Sequence, residues 1–131
     1  MHETLAYLKV CDAFYLATDE DGQPRVRPFG ASCEFEGKLY IVTNNKKPVY
    51  RQMKKNKNVE ICGMHSDGTW IRVAGTMEED LRREARAAML EENPGLGRMY
   101  SADDGLMTVF YFTSAKATFS AFSGELKVEE F

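Results

Sequence analysis

The sequence contains no apolar run near the roughly 18 residues of a membrane-spanning helix, and its first residues lack an apolar signal core, so a cytoplasmic protein is expected. Cysteine is scarce. Cys11, Cys33 and Cys62 are odd in number and form no C-x-x-C pair, which argues against a zinc knuckle or a thioredoxin-like site. They are expected to be reduced, mostly buried thiols acting as small hydrophobes. The only histidines are His2 and His65, and neither lies in an H-E-x-x-H pattern, so no catalytic metal site is expected. A basic surplus is missing too: 17 Lys and Arg against 20 Asp and Glu give a net charge of −3, which disfavours nucleic acid as a partner. No internal repeat, low-complexity segment or linker interrupts the chain, and no Ser-His-Asp or Cys-His arrangement stands out.

What remains is an ordinary globular composition, 44% hydrophobic and 28% charged, over 131 residues, which fits one domain spanning 1–131. Residues 3–11 set Leu5 and Leu8, with Val10 beside them, on one side of a short helix. Residues 13–18 read as a strand, closed by the turn Asp19-Glu20-Asp21-Gly22, and residues 23–29 resume extended structure. A second turn at Glu36-Gly37 divides residues 34–43, so the first third of the chain reads as a meander. Pro48 suits the first turn of a helix reaching about Asn56, because its missing N–H is unpaired there anyway.

Strands are expected at 59–64 and 69–77, followed by a helix over 78–92 with Leu81, Ala85, Ala88 and Met89 on its apolar stripe. Glu78, Glu79 and Asp80 read as charges favoured at that helix's N-terminus. Asn93-Pro94-Gly95 stops the helix. Residues 107–113 and 116–122 read as the last two strands, before an acidic tail over 125–131. About seven short strands joined by tight turns, with three helices, favour an antiparallel sheet closed into a barrel, a mainly β (α+β) fold.

Three constellations carry chemistry. Arg25 and Arg27 share one face of a strand, and Thr43-Asn44-Asn45-Lys46-Lys47 runs from a strand end into a helix N-terminus. Forked guanidinium donors, lysine charges and free backbone N–H groups suit a phosphomonoester, although a solvated basic edge has the same composition. Trp70 stands with Arg72 on one face of a long strand, as a pocket rim or as a packing anchor. Phe110, Tyr111, Phe112, Phe119 and Phe122 read as barrel core plus subunit interface, with aromatics to spare for a flat ligand. Tyr40, Tyr50 and Tyr100 are candidate proton donors, and no side chain stands out as a general acid or base.

The order of motifs adds to this. Gln23-Pro24-Arg25-Val26-Arg27-Pro28-Phe29-Gly30, then Lys38-Leu39-Tyr40-Ile41-Val42-Thr43-Asn44, then Val49-Tyr50-Arg51-Gln52-Met53 before Asn58-Val59-Glu60-Ile61, then Trp70-Ile71-Arg72-Val73-Ala74-Gly75, resemble the pyridoxamine 5′-phosphate oxidase-like FMN-binding split-barrel proteins, from about residue 3 to 124. The resemblance implies a six- to seven-stranded antiparallel split β-barrel with flanking short helices. It also implies a homodimer with FMN at the subunit interface and a flavin oxidoreductase, or alternatively a non-catalytic flavin- or ligand-binding carrier or sensor. By the same resemblance Arg27, with Pro28 and Phe29 beside it, Thr43 and Asn44 contact the flavin phosphate and ribityl chain. Lys46 and Lys47 also reach the phosphate, and Trp70 faces the ring, often from the other subunit. Departures are visible. Lys47, Pro48 and Val49 fall where the oxidases carry Ser-Arg-Lys, Ser32 falls where they carry a lysine, and no histidine follows His65. Oxidation of vitamin B6 is therefore not expected. Some relatives bind a deazaflavin or haem, and two histidines leave few options for a haem ligand.

Overall fold

The computed structural model describes residues 1–131. The chain runs α1 (His2–Val10), β1 (Phe14–Glu20), β2 (Gln23–Phe29), β3 (Ser32–Phe35), β4 (Lys38–Asn44), α2 (Pro48–Lys55), β5 (Asn58–Met64) and β6 (Trp70–Asp80). It continues through α3 (Arg83–Glu92), a 3-10 turn (Pro94–Arg98), β7 (Met107–Ala121) and β8 (Gly124–Glu130). All pairings are antiparallel, in the order β2-β1-β5-β6-β7-β4-β3, with β8 added to β7. This is the expected α+β architecture, with eight strands rather than seven. No helix is long and apolar enough to cross a membrane.

The tight turns fall where the sequence places them. Asp21 and Gly22, and again Glu36 and Gly37, adopt positive φ, which matches the right-handed twist of the flanking strands. The expected meander does not form. β2 pairs only with β1 and β3 only with β4, so the two hairpins stand at opposite ends of the hydrogen-bonded path. They remain neighbours in the chain through Gly30 and Ala31, and the barrel is split at that seam.

Two further expectations are corrected. The strands expected at 107–113 and 116–122 are one strand, β7. Thr76 pairs with Ser114 but Met77 pairs with Phe112, so Thr113 is an extra residue. That bulge shifts the inward phase, with Phe110 and Phe112 buried on one side of it and Ala115, Ala117 and Phe119 on the other. The polar Thr113-Ser114 pair imitates a turn but forms a bulge, sealed by the Thr113 hydroxyl donating to the Thr76 carbonyl. Gly75 is required beside it, because a Cβ there would lie 2.1 Å from the Ser114 carbonyl oxygen.

The helix expected from 78 begins only at Arg83, and Glu78 to Asp80 extend β6 instead. Burial decides this. The Glu79 carboxylate accepts from Tyr50 and Thr108 and pairs with Lys54, and Asp80 accepts from the Tyr40 hydroxyl at 2.7 Å. Leu81, taken from the helix pattern, is 74% exposed at the junction, and Val10 is likewise exposed.

The main core fills the barrel with Leu16, Leu39, Ile41, Ile61, Val73 and Phe110 among others. A second cluster, including Cys33, Tyr40, Val42, Ala85 and Met89, lies between the outer side of β4 and α3. β4 is thus buried on both faces, which is why Leu39 to Val42 reads as an unbroken apolar run. Cys33 is buried, Cys11 is half-buried and Cys62 is exposed, so the expectation of mostly buried thiols fails at Cys62.

Candidate functional site

Strand alternation puts Arg25 and Arg27 on the same side of β2, and both line a groove facing the start of α2. Lys47 caps α2, Pro48 opens it, and both line the same groove. Arg27 is held from beneath. Its Nη1 donates to the Leu16 carbonyl at 3.0 Å and to the Thr18 hydroxyl at 2.8 Å, and its Nη2 donates to Gln52 Oε1. Gln52 is buried on α2, so this network locks α2 against the β1–β2 hairpin. Burial, and next the adjacent Arg25, pull the Arg27 pKa below its usual value, while Glu20 works in the opposite direction. Glu20 accepts from Arg25 and Gln52, and these bonds hold its carboxyl below the ordinary range. Three cations against one carboxylate leave the groove positive, next to the first turn of an eight-residue helix. Charge and helix dipole both favour an anion there.

A second cavity of about 590 Å³ opens from the same place, sharing Pro28 and Lys47 with the groove. Its floor is the end of β2 and β4, with Phe29, Ala31, Val42 and Thr43. Its far wall is the segment after α3, with Asn93, Pro94, Leu96, Met99 and Tyr100. Thr43 Oγ1 is buried and has no hydrogen-bond partner within the chain, an uncommon state for a buried hydroxyl.

The residues expected at a site separate accordingly. Arg27, Pro28, Phe29, Thr43 and Lys47 line one or both of these spaces. Asn44 stands next to them with its amide committed: Oδ1 accepts from the Lys46 N–H at 3.0 Å and Nδ2 donates to the Tyr100 hydroxyl at 2.9 Å. The Lys46 side chain is exposed and lines neither space. Trp70 begins β6 opposite Met64 and lines neither space; the cavity meets the sheet at Val42, level with Asp80 through Val109, and at Phe29, level with Ile71 through Phe14 and Gly63.

Trp70 packs edge-on against Phe122 with centroids 5.4 Å apart, has Arg72 at 6.0 Å, and its Nε1 is buried without a partner. Among the candidate proton donors, Tyr40 is fully buried and Tyr50 donates to Glu79, whereas Tyr100 lines the cavity. The contribution of Leu96, Met99 and Tyr100 to the cavity has no signal in the sequence beyond the Asn93-Pro94-Gly95 helix stop.

The model of the pyridoxamine 5′-phosphate oxidase family matches residues 1–120, and the chain belongs to that family. Among solved structures it is similar to a NimC/NimA family protein from Clostridium acetobutylicum, at 49% identity, covering 100% of this chain and 93% of that one with a TM-score of 0.95. It also resembles a pyridoxamine 5′-phosphate oxidase-related, FMN binding protein from Nostoc punctiforme, at 16% identity, 98% and 90% coverage and a TM-score of 0.63. A heme binding protein from Mycobacterium smegmatis matches at 15% identity, 95% of this chain and 55% of that one, with a TM-score of 0.71. These last two likenesses concern the fold. The comparison with curated proteins gives no match.

Proposed function

We propose that the chain is an FMN-binding flavoprotein that acts as an oxidoreductase on a small molecule. The observation that carries this reading is the continuity of a cationic groove with an apolar cavity through Pro28 and Lys47. FMN is a phosphate joined by a polar chain to a flat ring, and it matches that sequence of environments. The donors fit. Arg27 keeps its Nε–H and one Nη2 hydrogen free for a phosphate, and Lys47, which lines both spaces, adds a point charge. A bound flavin would supply hydride or electron transfer. The chain's own residues would bind and orient it, with Phe29, Val42 and Leu96 excluding water from the ring.

The reading includes a homodimer. The outer wall of β1, β5 and β6 is covered by no helix and presents Tyr15, Cys62 and Met64 together with Trp70. A second copy seated there would bring its Trp70 toward the first copy's cavity. Oxidation of pyridoxamine phosphate is not part of the proposal. That substrate needs a second anion site, and Lys47 is the one cation lining the cavity.

The test is a titration with FMN and riboflavin, followed by turnover with reduced nicotinamide. FMN should bind at least tenfold more tightly than riboflavin. Equal affinities would remove the phosphate assignment, and binding without any turnover would favour a carrier or sensor. Pyridoxal phosphate formed from pyridoxamine phosphate and oxygen at roughly 1 s⁻¹ or faster would overturn the substrate exclusion.

A further inference from the structure

We infer that the Tyr100 hydroxyl, turned by Asn44 so that its proton is free for the cavity, is the group that recognises a carbonyl oxygen on the edge of a flat, uncharged ring. The inference deepens the flavin proposal and rests on it for the identity of that ring. A chain of three hydrogen bonding groups fixes the direction. The backbone N–H of Lys46 donates to Asn44 Oδ1 at 3.0 Å, which decides which end of the amide is oxygen. The other end, Nδ2, must then donate, and it donates to the Tyr100 hydroxyl at 2.9 Å. A phenol oxygen that accepts this bond keeps its own hydrogen for another acceptor. Tyr100 has no acceptor within the chain for that hydrogen, and it lines the apolar cavity.

The rest of the lining agrees on the chemistry of the ligand. Glu92, the one carboxylate at the rim, is tied to Lys9 at 3.0 Å. Asn93 spends its Nδ2 on the Ser32 and Met89 carbonyls. Apart from Lys47, which the proposed function gives to the phosphate, what the cavity offers between apolar walls is therefore the Tyr100 hydroxyl without a free counter-charge. That pattern selects an uncharged acceptor, of the carbonyl type, over a carboxylate or an amine.

Two substitutions separate this role from simple packing. Tyr100→Phe keeps the ring and removes the proton. Asn44→Asp keeps an oxygen to accept from Lys46 N–H but replaces the Nδ2 donor with a second acceptor. The Tyr100 proton then turns toward the introduced carboxylate and away from the cavity. Each variant is titrated with FMN and with riboflavin, and the near-ultraviolet flavin absorption band is recorded at saturation.

Tyr100→Phe should weaken both ligands about equally, by roughly tenfold, and shift the band, because the contact is to the ring and not to the phosphate. Asn44→Asp should do the same in the wild-type background and add little in the Tyr100→Phe background. Unchanged affinity and band in Tyr100→Phe would overturn the inference while leaving the flavin reading intact. An Asn44→Asp loss of the same size in both backgrounds would also overturn it, since the effect would then be charge alone. A wild-type protein that binds neither flavin would refute the flavin reading itself, and this inference with it.

Discussion

Arg27 uses three guanidinium hydrogens inside the protein, on Leu16, Thr18 and Gln52, and has two left for a ligand. It therefore has two roles that mutation cannot separate at that position alone. Arg27→Ala should weaken FMN by about 1.5–3 kcal/mol, the scale of hydrogen bonds to a charged group, and should also lower stability by leaving buried Gln52 and Thr18 short of a donor. Lys47 has no such inward bonds, so Lys47→Ala should weaken FMN several-fold with an unchanged melting temperature. Riboflavin affinity should stay within about twofold in both variants, which a fluorescence titration reads directly. The meeting of Arg27 and Lys47 was legible in the sequence, because period-two alternation and a proline at a helix start are local rules. The role of Asn44 as an orienting group was not, since it depends on Tyr100, which lies 56 residues further on. Lys46 and Lys47 are adjacent and chemically alike, and only the path of the chain into α2 sends one into the groove and the other to solvent.

At the scale of elements, the junction of β6 and α3 shows how charge placement can mislead. Glu78-Glu79-Asp80 before an apolar stripe is an ordinary helix start in sequence, yet all three residues are in strand. Asp80 makes the difference. It is 7% exposed, accepts the buried Tyr40 hydroxyl, and receives the Arg82 backbone N–H and guanidinium. Burial alone would raise its pKa, but the Arg82 and Tyr40 hydrogen bonds outweigh burial and hold the carboxyl at about 2, below its ordinary 3.8. The folded state thus favours the ionised form. The resulting stability, roughly 2 kcal/mol, is fully present above about pH 4 and is lost as the pH falls through 2. Urea unfolding of Asp80→Asn should show lower stability than wild type at pH 7, with the difference shrinking between pH 4 and pH 2. A difference independent of pH over that interval would mean that the carboxylate charge is not what the site uses. Most other elements were legible from turn chemistry and alternation. The long β7 was not, because a bulge and a turn both show as a pair of polar residues, and only pairing with β6 distinguishes them.

For the whole molecule, the question is what covers the outer wall. A barrel buries its inner face by closing, but the outer face of β1, β5 and β6 has no helix packed on it, while α3 covers the opposite side at β3 and β4. Phe122 is 89% exposed at the end of β7 and supports Trp70, whose Nε1–H is buried without an acceptor. An aromatic as exposed as Phe122 is costly in a monomer and useful at an interface. A second copy related by a two-fold axis would cover both walls at once and create two equivalent sites. Sedimentation at micromolar concentration should therefore show a dimer. Phe122→Glu places a charge on each side of that contact and should raise the dissociation constant at least tenfold, with FMN released as the dimer separates. Phe122 touches neither the groove nor the cavity of its own chain, so loss of flavin in this variant would come from loss of the partner. A wild-type monomer that keeps its flavin, or a dissociated variant that binds it as tightly as before, would place the whole site within one chain and leave Trp70 without a role in it.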